Sequence, residues 1–170
     1  MKDPYLYENS DILINKANIK DKTLLDEFEN RMTTLGLITI QKTDIKIIDV
    51  KAIYQIHKAL FSNVYDWAGQ NRTINIFKNE PILNGLSVDY TNFNQINKEL
   101  ETVKATYFRL EWELLSKEDF MHLFTRMIAK IWQIHPFREG NTRVILTFGL
   151  LFLKQKGYKF DVSIIAKNAK

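Results

Sequence analysis

The amino-acid sequence predicts a mainly α-helical single domain that carries one small β-hairpin. Three observations lead there. Apolar side chains recur at three- and four-residue steps over most of the chain, as they do on one face of a helix. Residues 72–88 break that rhythm with alternating, β-branched residues and a turn dipeptide. No repeat, low-complexity tract or interdomain linker divides the 170 residues, a length that fits one domain with a real core and would cramp two.

Leu24, Leu25, Phe28, Met32 and Leu35 mark the first helix, with Asp21 as its expected N-cap and Gly36 as its expected C-terminal stop. Asp44 is placed to cap a second helix that turns Ile48, Ala52, Ile53, Ile56 and Leu60 towards the core. In the break, Thr73-Ile74-Asn75-Ile76-Phe77 reads as a strand, Pro81 stops pairing, and Asn84-Gly85 makes a turn before Leu86-Ser87-Val88. The residues alone leave this hairpin as a surface loop. Phe93, Ile96, Leu100, Val103, Tyr107, Leu110 and Leu114 then form an amphipathic stripe for one bent helix or two short ones. It lacks the e/g charge pattern of a coiled coil. Phe120, Leu123, Phe124, Met127, Ile128 and Ile131 form the next stripe and lead into His135. Residues 144–153 are apolar on nearly every side, as in a helix buried in a core. Gly157 ends that helix, with Lys154 and Lys156 facing its negative end.

Composition narrows the function classes. An apolar fraction of 45% and a charged fraction of 26% are those of an ordinary globular protein. The apolar run at 144–153 is half the roughly 20 residues needed to cross a bilayer. The start, Met-Lys-Asp-Pro-Tyr-Leu-Tyr, lacks the apolar segment of a secretory signal. There is no cysteine, which excludes disulfide scaffolds and thiolate metal sites and suits the cytoplasm. The net charge of +4 is mild and the lysines are scattered, so no specific nucleic-acid partner is expected.

The nine residues His135-Pro136-Phe137-Arg138-Glu139-Gly140-Asn141-Thr142-Arg143 carry the chemistry. A polar loop feeding the start of a buried helix is an anion site, because the first amides are unpaired and the dipole favours negative charge. Gly140 lets backbone approach a ligand, and Arg143 in the first turn reaches the same anion. A zinc protease needs a second histidine one turn away, and a P-loop needs Gly-Lys-Ser/Thr; neither is present. His57 and His122 read as core-edge or surface residues. What remains is phosphate handling at a helix N-terminus with a histidine base.

The nine-residue string resembles the signature of the Fic family, H-P-F-x-(D/E)-G-N-G-R-x-x-R. His135, Pro136, Phe137, Glu139, Gly140, Asn141 and Arg143 match it, whereas Thr142 replaces the second glycine and Leu146 the second arginine. The stretches 5–37, 56–61, 65–69 and 72–76 are also similar to that family. The resemblance implies one Fic domain over 1–170, with an N-terminal extension at 1–43 and a core at 44–160. It makes the hairpin, at about 71–88, a flap over the active site, with Thr73, Ile74, Asn75, Ile76, Phe77 and Lys78 docking the target.

It also implies AMP transfer from ATP to a Ser, Thr or Tyr hydroxyl of a target protein, in a bacterial toxin or translocated effector. Imidazole ordinarily titrates near 6.5, so His135 is suited to take the hydroxyl proton. Glu139 is expected to hold Mg²⁺. The amides around Gly140 and Asn141, the Asn141 side chain and Thr142 are expected at the phosphate oxygens, with Arg143 on the outer phosphates. Arg138 or Lys78 would replace the missing guanidinium, and Phe137 anchors the loop. Leu146 leaves open a degenerate fold that binds nucleotide or a partner without transfer. The inhibitory string (S/T)-x-x-x-E-(G/N) known in the family is absent; the nearest match, Ser163 to Asn168, has Lys167 in place of the glutamate. Control is therefore expected from a separate antitoxin-like protein, or from sequence beyond Lys170.

Overall fold

Asp21 accepts a hydrogen bond from the Leu24 amide at 2.9 Å and opens helix α1 (Lys22–Thr43). The computed structural model describes residues 3–77 and 88–159, and these hold four further α-helices. They are α2 (Ala52–Phe61), α3 (Ile96–Tyr107), α4 (Lys117–Ile134) and α5 (Asn141–Gln155). Short 3₁₀ turns at Phe93–Gln95 and Trp112–Leu114 flank α3. The long stripe thus splits: α3 buries Ile96, Leu100 and Val103, and Leu114 stays exposed.

The helices pack α1 on α2, α2 on α5, α5 on α4 and α4 on α3. Phe61, Phe120, Phe137 and Phe148 are wholly buried between them, each worth about 1.5–3 kcal/mol of burial. At its C-terminus α5 closes on Gly157 (φ 80), whose amide donates to Lys154 O while Tyr158 N–H donates to Leu153 O, both at 3.0 Å. No helix of the described residues is long and apolar enough to cross a membrane.

The fold departs from the sequence reading at Gly36, at Asp44 and at residues 73–77. Gly36 does not end α1. A Cβ there would lie 2.6 Å from Ala59 O and 2.8 Å from Leu60 Cα, so the glycine lets α1 cross α2 backbone to backbone. The buried face of α1 is accordingly Leu25, Glu29, Thr33, Gly36 and Ile40, and Leu24 and Leu35 face solvent. Asp44 ends α1 in the left-handed region (φ 46) and does not open α2, which starts at Ala52 and leaves Ile48 exposed.

The small β-hairpin is not seen among the described residues. Residues 73–77 form no strand, and the single β pairing among the described residues is an isolated bridge between Leu6 and Leu13. β-branched alternation favours extended backbone, but a strand also needs a partner edge. Here side chains take backbone groups at the start of the segment: Thr73 N–H donates to Tyr5 Oη at 3.0 Å, and Ile74 O accepts from Arg72 Nη1 at 2.7 Å. Lys78, Pro81 and the Asn84-Gly85 turn lie outside the described residues.

Candidate active site

His135 is the last residue of α4's hydrogen-bonding pattern, and its amide donates to Ile131 O at 3.2 Å. Its φ of 50° is left-handed, a conformation that costs a non-glycine residue about 1–2 kcal/mol. The side chain is 2% exposed. Its Nδ1 lies 3.3 Å from Trp132 O. A carbonyl can only accept, so this contact puts a proton on Nδ1. The Tyr90 ring packs on the imidazole at 4.0 Å.

The loop that follows is braced from below. Phe137 stacks on the His57 ring at 3.9 Å and meets Tyr54 edge-on at 5.7 Å. Asn141 is buried, and both polar atoms of its side chain are spent on Phe137: Oδ1 accepts the amide at 2.9 Å and Nδ2 donates to the carbonyl at 2.8 Å. The expectation that this side chain holds phosphate is therefore corrected, and its main-chain amide remains. Gly140 has φ 78, and a Cβ on it would sit 2.2 Å from Phe61 Cζ. Close approach of an aromatic ring, more than of a ligand, demands this glycine. With Gly140 as N-cap, the first turn of α5 has no side-chain cap, which leaves it suited to an anion.

His57 was expected at the core edge or surface and is wholly buried. Its Nδ1 accepts the Gly69 amide at 2.8 Å, so Nε2–H donates to Glu139 O at 3.2 Å. Burial pushes its pKa down to about 3, and it serves as a neutral strut under the loop. His122 is exposed.

Two guanidiniums flank the α5 N-terminus. Arg143 pairs with Glu29 of α1, lies 3.9 Å from Glu139 Oε1 and covers the Phe61 ring at 4.8 Å. Glu29 is buried and also accepts from Tyr65 Oη at 2.5 Å; burial, then the Glu29 charge, raises that hydroxyl's pKa and keeps its proton on. Arg138 is held by Asp3, with Nε and Nη2 at 3.0 and 2.8 Å from Oδ2. A cleft of about 360 Å³ opens here, lined by Lys22, Glu29, Arg138, Glu139 and Arg143 among others. A groove of about 540 Å³ runs past Ile76, Phe77, Tyr90, Thr91 and Lys130.

Glu139 is half-buried, and its Oε1 accepts from Gly140 N–H at 2.8 Å. The described residues contain no cluster of three carboxylates, histidines or cysteines. That donor set fits Mg²⁺ bound by one carboxylate with substrate phosphates and water completing its shell, and does not fit an all-protein metal cage.

Comparison with known proteins decides the family. The Fic/DOC family model matches residues 47–153, from before α2 through the loop and most of α5. The chain belongs to the Fic/DOC family. It is 34% identical over 164 residues to y4lH of Sinorhizobium fredii, named a probable protein adenylyltransferase, covering 96% of this chain and 81% of that protein. It is 28% identical to the protein adenylyltransferase VbhT of Bartonella schoenbuchensis over 94% of this chain, which spans 32% of VbhT. Among solved structures, the N-terminal Fic domain of a VirB-translocated Bep effector from Bartonella quintana, with bound ADP, superposes with a TM-score of 0.79. The identity is 25%, over 94% of this chain and 79% of that one.

Against the Fic signature, Thr142 is exposed at the helix start and Leu146 is half-buried on α5. Of the residues expected at the site, His135, Phe137, Arg138, Glu139, Gly140, Asn141, Thr142 and Arg143 share one loop and helix start. Residues 73–77 join them through Arg72, whose Nε donates to His135 O at 2.8 Å. The sequence reading missed Arg72, Glu29 and Tyr65. Glu29 had a usable signal, a carboxylate on the face that continues from Leu25 to Ile40; Arg72 and Tyr65 had none.

Proposed function

We propose that this Fic chain is a protein adenylyltransferase that moves AMP from ATP onto a Ser, Thr or Tyr hydroxyl of a target protein. The observation that carries the reading is the α4–α5 junction. It holds a buried histidine whose Nδ1 faces the Trp132 carbonyl, one short loop from an uncapped helix N-terminus. The names of y4lH and VbhT, and the ADP held by the Bartonella quintana domain, support it.

In this reaction the target oxygen attacks the α-phosphorus of ATP. The new O–P bond forms as the bond to the bridging oxygen of the β-phosphate breaks, and pyrophosphate leaves. His135 Nε2 takes the hydroxyl proton. Amides at the start of α5 hold phosphate oxygens where charge grows. Glu139 would hold Mg²⁺, which when bound supplies charge neutralisation on the phosphates. Arg143 serves the outer phosphates, shared with Glu29. Arg138 is taken by Asp3 in this geometry, so it does not replace the guanidinium lost at Leu146. Residues 73–77 offer backbone groups to an extended target segment beside His135. We place the protein where ATP and target meet, in the cytoplasm or, as a translocated effector, in another cell, with a separate antitoxin-like inhibitor.

Leu146 and the Arg143–Glu29 pair favour one other reading, a Fic fold that keeps nucleotide without transferring it. Incubation with labelled ATP, Mg²⁺ and cell lysate, followed by mass spectrometry of peptides, separates the two. AMP on a target hydroxyl supports transfer; nucleotide bound tightly with no modified peptide supports the binder.

A further inference from the structure

Arg72 is a buried cation that the reaction above does not use. It is 2% exposed. Its side-chain partners among the described residues are all backbone carbonyls. Nε donates to His135 O at 2.8 Å, Nη1 to Ile74 O at 2.7 Å, and Nη2 to Thr91 O and, at 3.4 Å, to Ile134 O. Its own amide donates to Pro136 O at 2.8 Å. Ile134 and His135 close α4, where the helix dipole favours a cation. Ile74 and Thr91 belong to the two segments that run along the groove lined by Ile76, Phe77, Tyr90 and Thr91. The second segment is tied to α4 again by Thr91 N–H on Gln133 O at 3.2 Å and by the Tyr90 ring on His135.

We propose that Arg72 is a positioning residue that locks the left-handed backbone of His135, the proposed target-docking residues 73–77 and residues 88–91 into one unit. The proposal rests on His135 being the base of AMP transfer. One planar guanidinium bridges three stretches of chain that are far apart in sequence. The angle of the imidazole and the register of the target hydroxyl are therefore set by the same group. Lysine cannot replace it, because an ammonium is a compact donor without the diverging fork that reaches several carbonyls. A misplacement of about 1 Å at a reacting group costs on the order of 10²-fold in rate, which is the size of effect expected here.

The test uses the full chain and Arg72→Lys, with melting as the folding control. Amide exchange is followed for residues 73–77, 88–91 and 134–137, ATP binding by calorimetry, and AMP transfer by steady-state kinetics. In the variant, exchange is expected to rise in all three stretches together and not in α1. The kcat should fall roughly 10²-fold while ATP affinity holds. Looser segments with unchanged kcat would make Arg72 merely structural and overturn the proposal, as would equal losses in kcat and ATP affinity. Should the variant fail to fold, the unaltered protein decides. Its Arg72, Thr91 and His135 amides must share one opening free energy in native-state exchange with denaturant, and independent openings overturn the coupling. If the unaltered chain transfers no AMP, the functional reading fails, while the exchange data still decide whether Arg72 joins the segments.

Discussion

At His57 a buried imidazole is kept neutral by its surroundings, and this makes acid stability a residue-scale readout of the loop's support. Burial lowers its pKa from 6.5 to about 3, against a smaller opposing effect of the Glu139 carbonyl. The unfolded chain therefore binds a proton at pH values where the folded chain does not. His57's contribution is complete above about 6.5 and is lost as pH falls towards about 3, with a slope of at most about 1.4 kcal/mol per pH unit. His57→Gln, which cannot protonate, is expected to lower stability at neutral pH and to flatten that acid slope in denaturant titrations. A parallel slope in parent and variant would remove His57 as its source. Leu146 sets a second test at this scale. Leu146→Arg returns a guanidinium to the turn after Arg143 and should tighten ATP by up to about 1.5–3 kcal/mol, read by calorimetry with a melting control. Unchanged affinity in a folded variant would place the outer phosphates away from this face of α5.

The α1–α2 crossing shows at the element scale what local sequence hides. Alanine ordinarily favours a helix interior by about 1 kcal/mol over glycine, yet a Cβ at Gly36 meets backbone atoms of Ala59 and Leu60 at 2.6 and 2.8 Å. Backbone cannot rotate away, so Gly36→Ala should lower stability, by about 1–3 kcal/mol, in thermal or denaturant unfolding; a stabilised variant would contradict the close crossing. Helix type and the α4–His135 junction were legible because periodicity and capping are local, as at Asp21, which accepts the Leu24 amide. Gly36 was misread because a glycine stop and a glycine crossing look alike without the partner helix. The Asn141 side chain was misassigned because its partner, Phe137, competes with any ligand only once the loop folds back. At the strand expected over 73–77, the Tyr5 hydroxyl and the Arg72 guanidinium take the Thr73 amide and the Ile74 carbonyl, contacts with no local signature. If residues 73–77 dock the target, Ile76→Pro, which removes a donor and fixes φ, should raise the KM for protein target far more than for ATP. Equal effects on both would take the segment out of docking.

Across the whole molecule, the N-terminal residues reach the site at three points. Asp3 holds Arg138, Glu29 holds Arg143, and the Tyr5 hydroxyl accepts the Thr73 amide at 3.0 Å. None of these contacts has a local signature, since each joins residues more than 60 positions apart. The site is thus a product of the full described fold: α4 presents the base, α5 the anion-binding end, and the N-terminal segment the counter-charges. The central claim is that this arrangement transfers AMP with His135 as proton acceptor. It is tested most directly by supplying ATP labelled at the α- or the γ-phosphate to the parent chain and to His135→Ala, with target protein present, while calorimetry tracks ATP binding. The account predicts that only the α-label reaches a target hydroxyl with the parent, and that His135→Ala binds ATP nearly as well and transfers none. Transfer of the γ-label, or α-label transfer by His135→Ala at the parent's rate, would contradict it.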